Sequence, residues 1–206
     1  ISQFDNKRLY FGSNILYRTD DRGNSWKAIS PDLSRKIDRN RLEVMGRVWS
    51  MDAVAKNTST DIYGQTTTIA ESKLDENMLW VGTDDGLIHL TADGGKNWTA
   101  IDNIPGMPKQ SYVHQVIASL HDRNTAYACF NHHRYGDFKP YLVKTSDGGK
   151  TWKETFKDTA SKVFMDTMND HPENEIVVIG DPLDSTTYVR ISLDFGDTWF
   201  PIDGGV

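Results

Sequence analysis

One octet, present four times, constrains this chain more than any other feature. The copies are Thr19-Asp-Asp-Arg-Gly-Asn-Ser-Trp26, Thr91-Ala-Asp-Gly-Gly-Lys-Asn-Trp98, Thr145-Ser-Asp-Gly-Gly-Lys-Thr-Trp152 and Ser192-Leu-Asp-Phe-Gly-Asp-Thr-Trp199. Each has a hydroxyl residue, Asp two places on, Gly two further and Trp at the end. A motif recurring at fixed internal spacing implies a repeat architecture. Short apolar runs flank every copy, such as Leu87-Ile-His-Leu90 before and Trp98-Thr-Ala-Ile101 after. Short runs either side of a Gly/Asp turn predict a hairpin. In that turn Asp21, Asp93, Asp147 and Asp194 accept backbone N–H groups. Gly23, Gly95, Gly149 and Gly196 supply positive φ. Trp26, Trp98, Trp152 and Trp199 bury a large ring beside the bend. A row of acids suggests catalysis or metal binding, but each has a local backbone task, so the structural reading is preferred.

A second run precedes each octet: Leu9-Tyr-Phe-Gly-Ser13, Leu79-Trp-Val-Gly-Thr83, Ala126-Tyr-Ala-Cys-Phe130 and Val177-Val-Ile-Gly-Asp181. Three of these follow a further run, at Thr67–Glu71, Val113–Ala118 and Val163–Thr167. The unit is four strands, a to d, with the octet joining c to d. Repeated four-stranded sheets predict an all-β fold, a β-propeller with antiparallel blades. The 206 residues then divide into blade 1 at about 4–30, a long loop at 30–65, and blades 2, 3 and 4 at about 66–102, 112–157 and 162–203. Blade 1 lacks its innermost strand, which suggests one segment of a larger propeller. A short helix is expected in the long loop, after Pro31 or around Ser50 to Lys56.

The octet resembles the Asp-box, or bacterial neuraminidase repeat, of sialidases, sortilin-like proteins and related propellers. In those families the box is a folding element between the two outer strands of a blade. From about Leu9 to Trp152 the chain resembles bacterial sortilin-like and glycosyl hydrolase-like repeat proteins, through Ser25-Trp-Lys-Ala-Ile-Ser-Pro-Asp-Leu33, Leu79-Trp-Val-Gly-Thr-Asp-Asp-Gly86 and Gly136-Asp-Phe-Lys-Pro-Tyr141. After Lys157 it is more similar to propellers of the photosystem-assembly-factor type. The resemblance implies an exported protein, extracellular, periplasmic or at the cell surface. It implies a binding or scaffold module, with polysaccharide hydrolysis and sortilin-like peptide binding as alternatives. The Arg-Ile-Pro motif of sialidases is absent, and no catalytic residue is carried over.

A net charge of −6 gives no basic footprint for nucleic acid, and no apolar run approaches the roughly 20 residues of a membrane span. The single cysteine, Cys129, lies in an apolar run and is expected to be buried and inert. No cofactor or metal is expected.

In the predicted topology the b–c and d–a loops share one face, where ligands are expected. The candidates there are Arg47 and Trp49 in the long loop, Asp84 and Asp85 in the second b–c loop, and Asp181 in the fourth. The third b–c loop, residues 131–139, adds His132, His133, Arg134, Tyr135 and Asp137. Tyr135 and Arg134 suit stacking on a sugar or capture of a peptide carboxylate; Tyr135 and Phe138 equally suit pinning their own loop. Adjacent histidines seldom face one ion, so a solvated loop is preferred over a metal site. Asp84 and Asp85 are a carboxylate pair, but neighbours in a turn are poorly placed to flank a glycosidic bond. The partners this allows are a glycan, a peptide, another protein or further blades.

Overall fold

The computed structural model describes residues 1–44, 46–54, 56, 63–156, 164–168, 176–180, 190–194 and 197–201. Its first sheet has three antiparallel strands, β1 (Leu9–Gly12), β2 (Leu16–Thr19) and β3 (Lys27–Ala28). A two-stranded hairpin follows, β4 (Glu43–Val44) with β5 (Arg47–Val48). The second sheet is β6 (Thr66–Glu71), β7 (Leu79–Thr83), β8 (Ile88–Thr91) and β9 (Thr99–Ile101). The third is β10 (Tyr112–Ala118), β11 (Ala126–His132), β12 (Asp137–Thr145) and β13 (Lys153–Phe156). The fourth is β14 (Phe164–Met168), β15 (Ile176–Gly180), β16 (Arg190–Ser192) and β17 (Phe200–Pro201). In every sheet spatial order equals sequence order, so each is a simple antiparallel meander.

The sheets stack face to face, which explains why the second strand of a sheet reads as a continuous apolar run. In β7, Leu79 and Val81 pack with Leu16, Ile29 and Leu33 from the first sheet and the loop after it. Trp80 between them turns the other way, into a cluster with Val113, Val116, Ala128, Val143 and Trp152 of the third sheet. The alternation repeats in β11, where Ala126, Ala128 and Phe130 face the second sheet while Tyr127 and Cys129 pack near Trp199 of the fourth. Both faces of these strands are buried, so period-two polarity disappears there. Burial also pushes the Cys129 thiol up to about 12, which keeps it protonated and unreactive at neutral pH.

Three local expectations are corrected. The last strand of each sheet begins one residue after the octet's Trp, because the indole ends the turn rather than joining the ladder. The long loop holds no α-helix among its described residues. It forms a single 3-10 turn at Arg39–Arg41, the β4–β5 hairpin, and isolated turns closed by Ala53 N–H on Ser50 O and Lys56 N–H on Ala53 O. The third b–c insertion is mostly strand. β11 continues to His132, which pairs with Asp137 of β12, and only His133–Tyr135 form a 3-10 turn at the tip.

Candidate functional site

The octet acids lie on the turn side of the sheets, and each is occupied within its own octet. In the third, Asp147 Oδ1 accepts from Thr145 Oγ1 at 2.9 Å and from Thr151 N at 2.9 Å, while Oδ2 accepts from Thr151 Oγ1 at 2.6 Å. Gly149 N donates to Thr145 Oγ1 at 2.9 Å. Asp21 and Asp93 repeat this set with Thr19 and Ser25, and with Thr91 and Asn97. Asp194 accepts from Ser192 and Thr198; Gly196 lies outside the described residues. The donors hold three of these carboxyls near 2: Ser25 hydroxyl at Asp21, Asn97 N–H at Asp93 and Thr151 hydroxyl at Asp147. Such acids are shape-holding groups with no proton to exchange near neutral pH.

The tryptophans reach beyond their own sheets. Trp98 Nε1 donates to Ile29 O, just past β3 of the preceding sheet, at 2.8 Å. Trp199 Nε1 makes the equivalent bond to Thr155 O at 2.9 Å. Trp152 instead donates to Gly149 O at 3.2 Å and sets its ring edge-on to Trp80 at 6.0 Å. Each octet from the second onward is thus a clasp on the sheet before it.

On the opposite face, Asp84 and Asp85 anchor the two ends of the long loop. Asp85 is fully buried. Its Oδ1 accepts from Thr83 Oγ1 at 2.5 Å and its Oδ2 from Arg35 N at 2.7 Å, at the start of the loop. Asp84 Oδ1 accepts from Gly64 N at 2.7 Å and Gln65 N at 2.8 Å, at the end of the loop. Burial raises the Asp84 carboxyl, while these two N–H groups pull it down. Gly64 has φ +105°, and a Cβ there would sit 2.2 Å from Ser34 Cβ, so the loop ends meet with no room for a side chain. The two carboxyls take different N–H groups, and both lie against Gly64 where the loop ends meet.

The tip of the third hairpin leans on the connection that precedes it. His132 stacks on Tyr135 at 4.3 Å, Ser111 Oγ lies 3.1 Å from His132 Nδ1, and Tyr135 OH donates to Gln110 Oε1 at 3.0 Å. Burial lowers the His132 imidazole, favouring its neutral form. His133 turns to Phe138 instead, so the two histidines diverge. Asp137 accepts from Tyr141 OH, which lowers its carboxyl. Arg134 lies 3.9 Å from Asp84 Oδ2, with its guanidinium over the rings of Tyr63 and Tyr112 at 5.2 and 5.9 Å. Arg47, on β5, stacks on Trp49 at 3.4 Å. Asp181 lies outside the described residues. No cluster of three His, Cys, Asp or Glu side chains suited to a metal occurs among the described residues.

Beside this tip lies a cleft of about 340 Å³ that motif reading did not find. It is bounded by Arg35, Gly86 and the connection from Asp102 to Ser111, with Phe130 at the end of β11. Ile104, Met107 and Phe130 give it apolar walls; Arg35, Asp102, Lys109 and Gln110 give it polar ones. The Arg35 guanidinium is oriented by Asp85 O at 2.7 Å, Gly86 O at 3.2 Å and the Asp102 carboxylate. Gln110 holds φ +60°, which turns the chain at the cleft edge. The one available signal was Ile104-Pro-Gly-Met-Pro108, large apolar residues between chain-turning ones in a connection.

Stacked four-stranded meanders joined by b–c and d–a loops around such a cleft define a β-propeller. Solved structures agree. An ancestral GH74 enzyme matches 100% of this chain and 24% of its own length, with 15% identity and TM-score 0.62. The GH74 enzyme of Niastella koreensis matches 96% of this chain and 22% of its own, with 14% identity and TM-score 0.57. YCF48 from Cyanidioschyzon merolae matches 98% and 54%, with 18% identity and TM-score 0.53. The chain therefore spans well under two thirds of each of these proteins, and the likeness is one of fold. No family model matches the sequence, and no curated protein matches it.

Proposed function

We propose that this chain is a non-catalytic binding module, that its octets are Asp-boxes, and that its ligand sits in the cleft between the second and third sheets. The carrying observation is the division of labour among its acids. Every described octet acid is saturated by its own turn, and Asp84 and Asp85 hold loop ends. The cleft has mixed walls suited to holding a ligand, and its described lining contains one carboxylate, Asp102, already paired with Arg35. Hydrolysis of a glycosidic bond by the usual route needs two carboxyls flanking it. The reading includes export, which rests on the resemblance to exported repeat proteins.

The test is a binding screen of glycans and peptides by calorimetry, using the intact chain and Met107→Trp, which fills the cleft. A ligand bound by the intact chain and lost in Met107→Trp supports the proposal. Glycan cleavage abolished by Asp102→Asn would overturn it in favour of hydrolysis, the second reading, which the GH74 likeness in fold keeps in view.

A further inference from the structure

The tip of the third hairpin carries a cation that the fold leaves unused. Arg134 sits in the 3-10 turn His133–Tyr135, which Gly136 ends at φ +75°. Tyr63 and Tyr112 lie under its guanidinium, and Asp84 Oδ2 is 3.9 Å away, beyond hydrogen-bond reach. The guanidinium makes no hydrogen bond among the described residues, and its side chain is half exposed. Beside it, Tyr135 and Phe138 are 55% and 56% exposed, although each packs against an imidazole, His132 at 4.3 Å and His133 at 5.3 Å. Pinning the loop accounts for the covered side of each ring and leaves the rest bare. The tip is held by other groups: Asp137 accepts from Lys139 N at 3.1 Å and from Tyr141 OH, and Tyr135 OH donates to Gln110 Oε1. The exposure is not that of an end sheet, because the third sheet packs on the second at one face and near Trp199 of the fourth at the other.

We propose that this tip is a second binding site, for an acidic glycan, with Arg134 taking the anionic group and Tyr135 and Phe138 the sugar rings. A planar guanidinium presents paired N–H donors that match two oxygens of a carboxylate or a sulfate. Held in place over two aromatic faces, it loses little freedom on binding. Bare aromatic surface suits the C–H face of a pyranose. Asp84 is largely buried on one side of the guanidinium, so the solvent side of the fork stays open. Exposed Lys139 adds a second cation next to Phe138. A peptide added as a strand is disfavoured, because β11 and β12 pair with each other and with β10 and β13, which leaves the hairpin no open edge. Arg134, Tyr135 and Phe138 lie outside the lining of the cleft, so the proposal stands whether or not the cleft takes a ligand.

Isothermal titration calorimetry of the 206-residue chain tests it, with circular dichroism to confirm the fold of each variant. The probes are a galacturonate hexasaccharide, its methyl ester, a κ-carrageenan hexasaccharide and an acidic peptide, hexa-aspartate. The two acidic glycans separate uronate from sulfate as the anion. Binding of either one, weakened about tenfold by Arg134→Gln and about fivefold by Tyr135→Ala, supports the proposal. Met107→Trp, which fills the cleft, should leave that binding unchanged; a glycan lost in Met107→Trp and kept in Arg134→Gln belongs to the cleft and counts against the tip. No binding of either acidic glycan, equal binding of the methyl ester, or hexa-aspartate bound as tightly as the glycans would each overturn the proposal.

Discussion

Trp26 and Trp152 end the same octet with the same hydrogen-bonded Asp beneath them, yet their surroundings differ. Trp152 is 5% exposed and meets Trp80 edge-on across the junction of two sheets, while Trp26 is 46% exposed against Phe11 of its own sheet. The turn is made locally; the value of its indole is set by the neighbouring sheet. A motif can therefore recur with constant geometry and contribute very differently from copy to copy.

The sharpest way to break this comparison is to delete the rings. Trp152→Ala should cost about 3–5 kcal/mol in urea unfolding, as expected for a large aromatic lost from a packed core. Trp26→Ala should cost less than about 1 kcal/mol. Equal losses would mean that the indole acts within its own turn and not between sheets.

The loop face offers the next contrast. Asp85→Ala should cost about 3 kcal/mol, because it strips a fully buried acceptor from Thr83 and Arg35 N. Asp84→Ala should cost less, and should free the Gly64–Gln65 end of the loop, read as faster amide exchange there.

Glycine replacement separates turn strain from close approach. Gly23 and Gly95 both have positive φ, at +94° and +96°. A Cβ at Gly95 would lie 2.4 Å from Ile29 O, whereas at Gly23 the nearest atom is on Trp26 at 3.8 Å. Gly23→Ala should cost about 1 kcal/mol of backbone strain, and Gly95→Ala at least about twice that.

The mildest test uses pH. Asp21, Asp93 and Asp147 have folded values near 2, below the ordinary 3.8. Their stabilising effect is complete above the unfolded value and is lost as pH falls from about 4 toward 2. Melting temperature should drop across that window, and more shallowly in an Asp21→Asn, Asp93→Asn, Asp147→Asn variant. An unchanged slope would mean that the octet acids do not govern acid unfolding.

Much of the fold was legible because strand meanders and hairpin turns are local. Asp two places after a hydroxyl and Gly two further on define the bend through contacts within eight residues. The candidate site was legible only in part. His132, Tyr135, Asp84 and Asp85 were picked out as polar residues in b–c loops, but their roles rest on contacts with Ser111, Gln110, Gly64 and Arg35, far away in sequence. The cleft itself has no motif, since its lining comes from four separate places in the sequence.

From its residues alone this chain declares repeated antiparallel sheets bent at Trp-terminated turns, because hydrogen bonds over a few residues and alternating apolar positions are written in consecutive letters. Which Trp is buried, which acids tie distant segments, and where an open cleft remains were decided only when the sheets stacked. Those outcomes depend on the distance between groups many tens of residues apart, and that distance exists only in the folded chain.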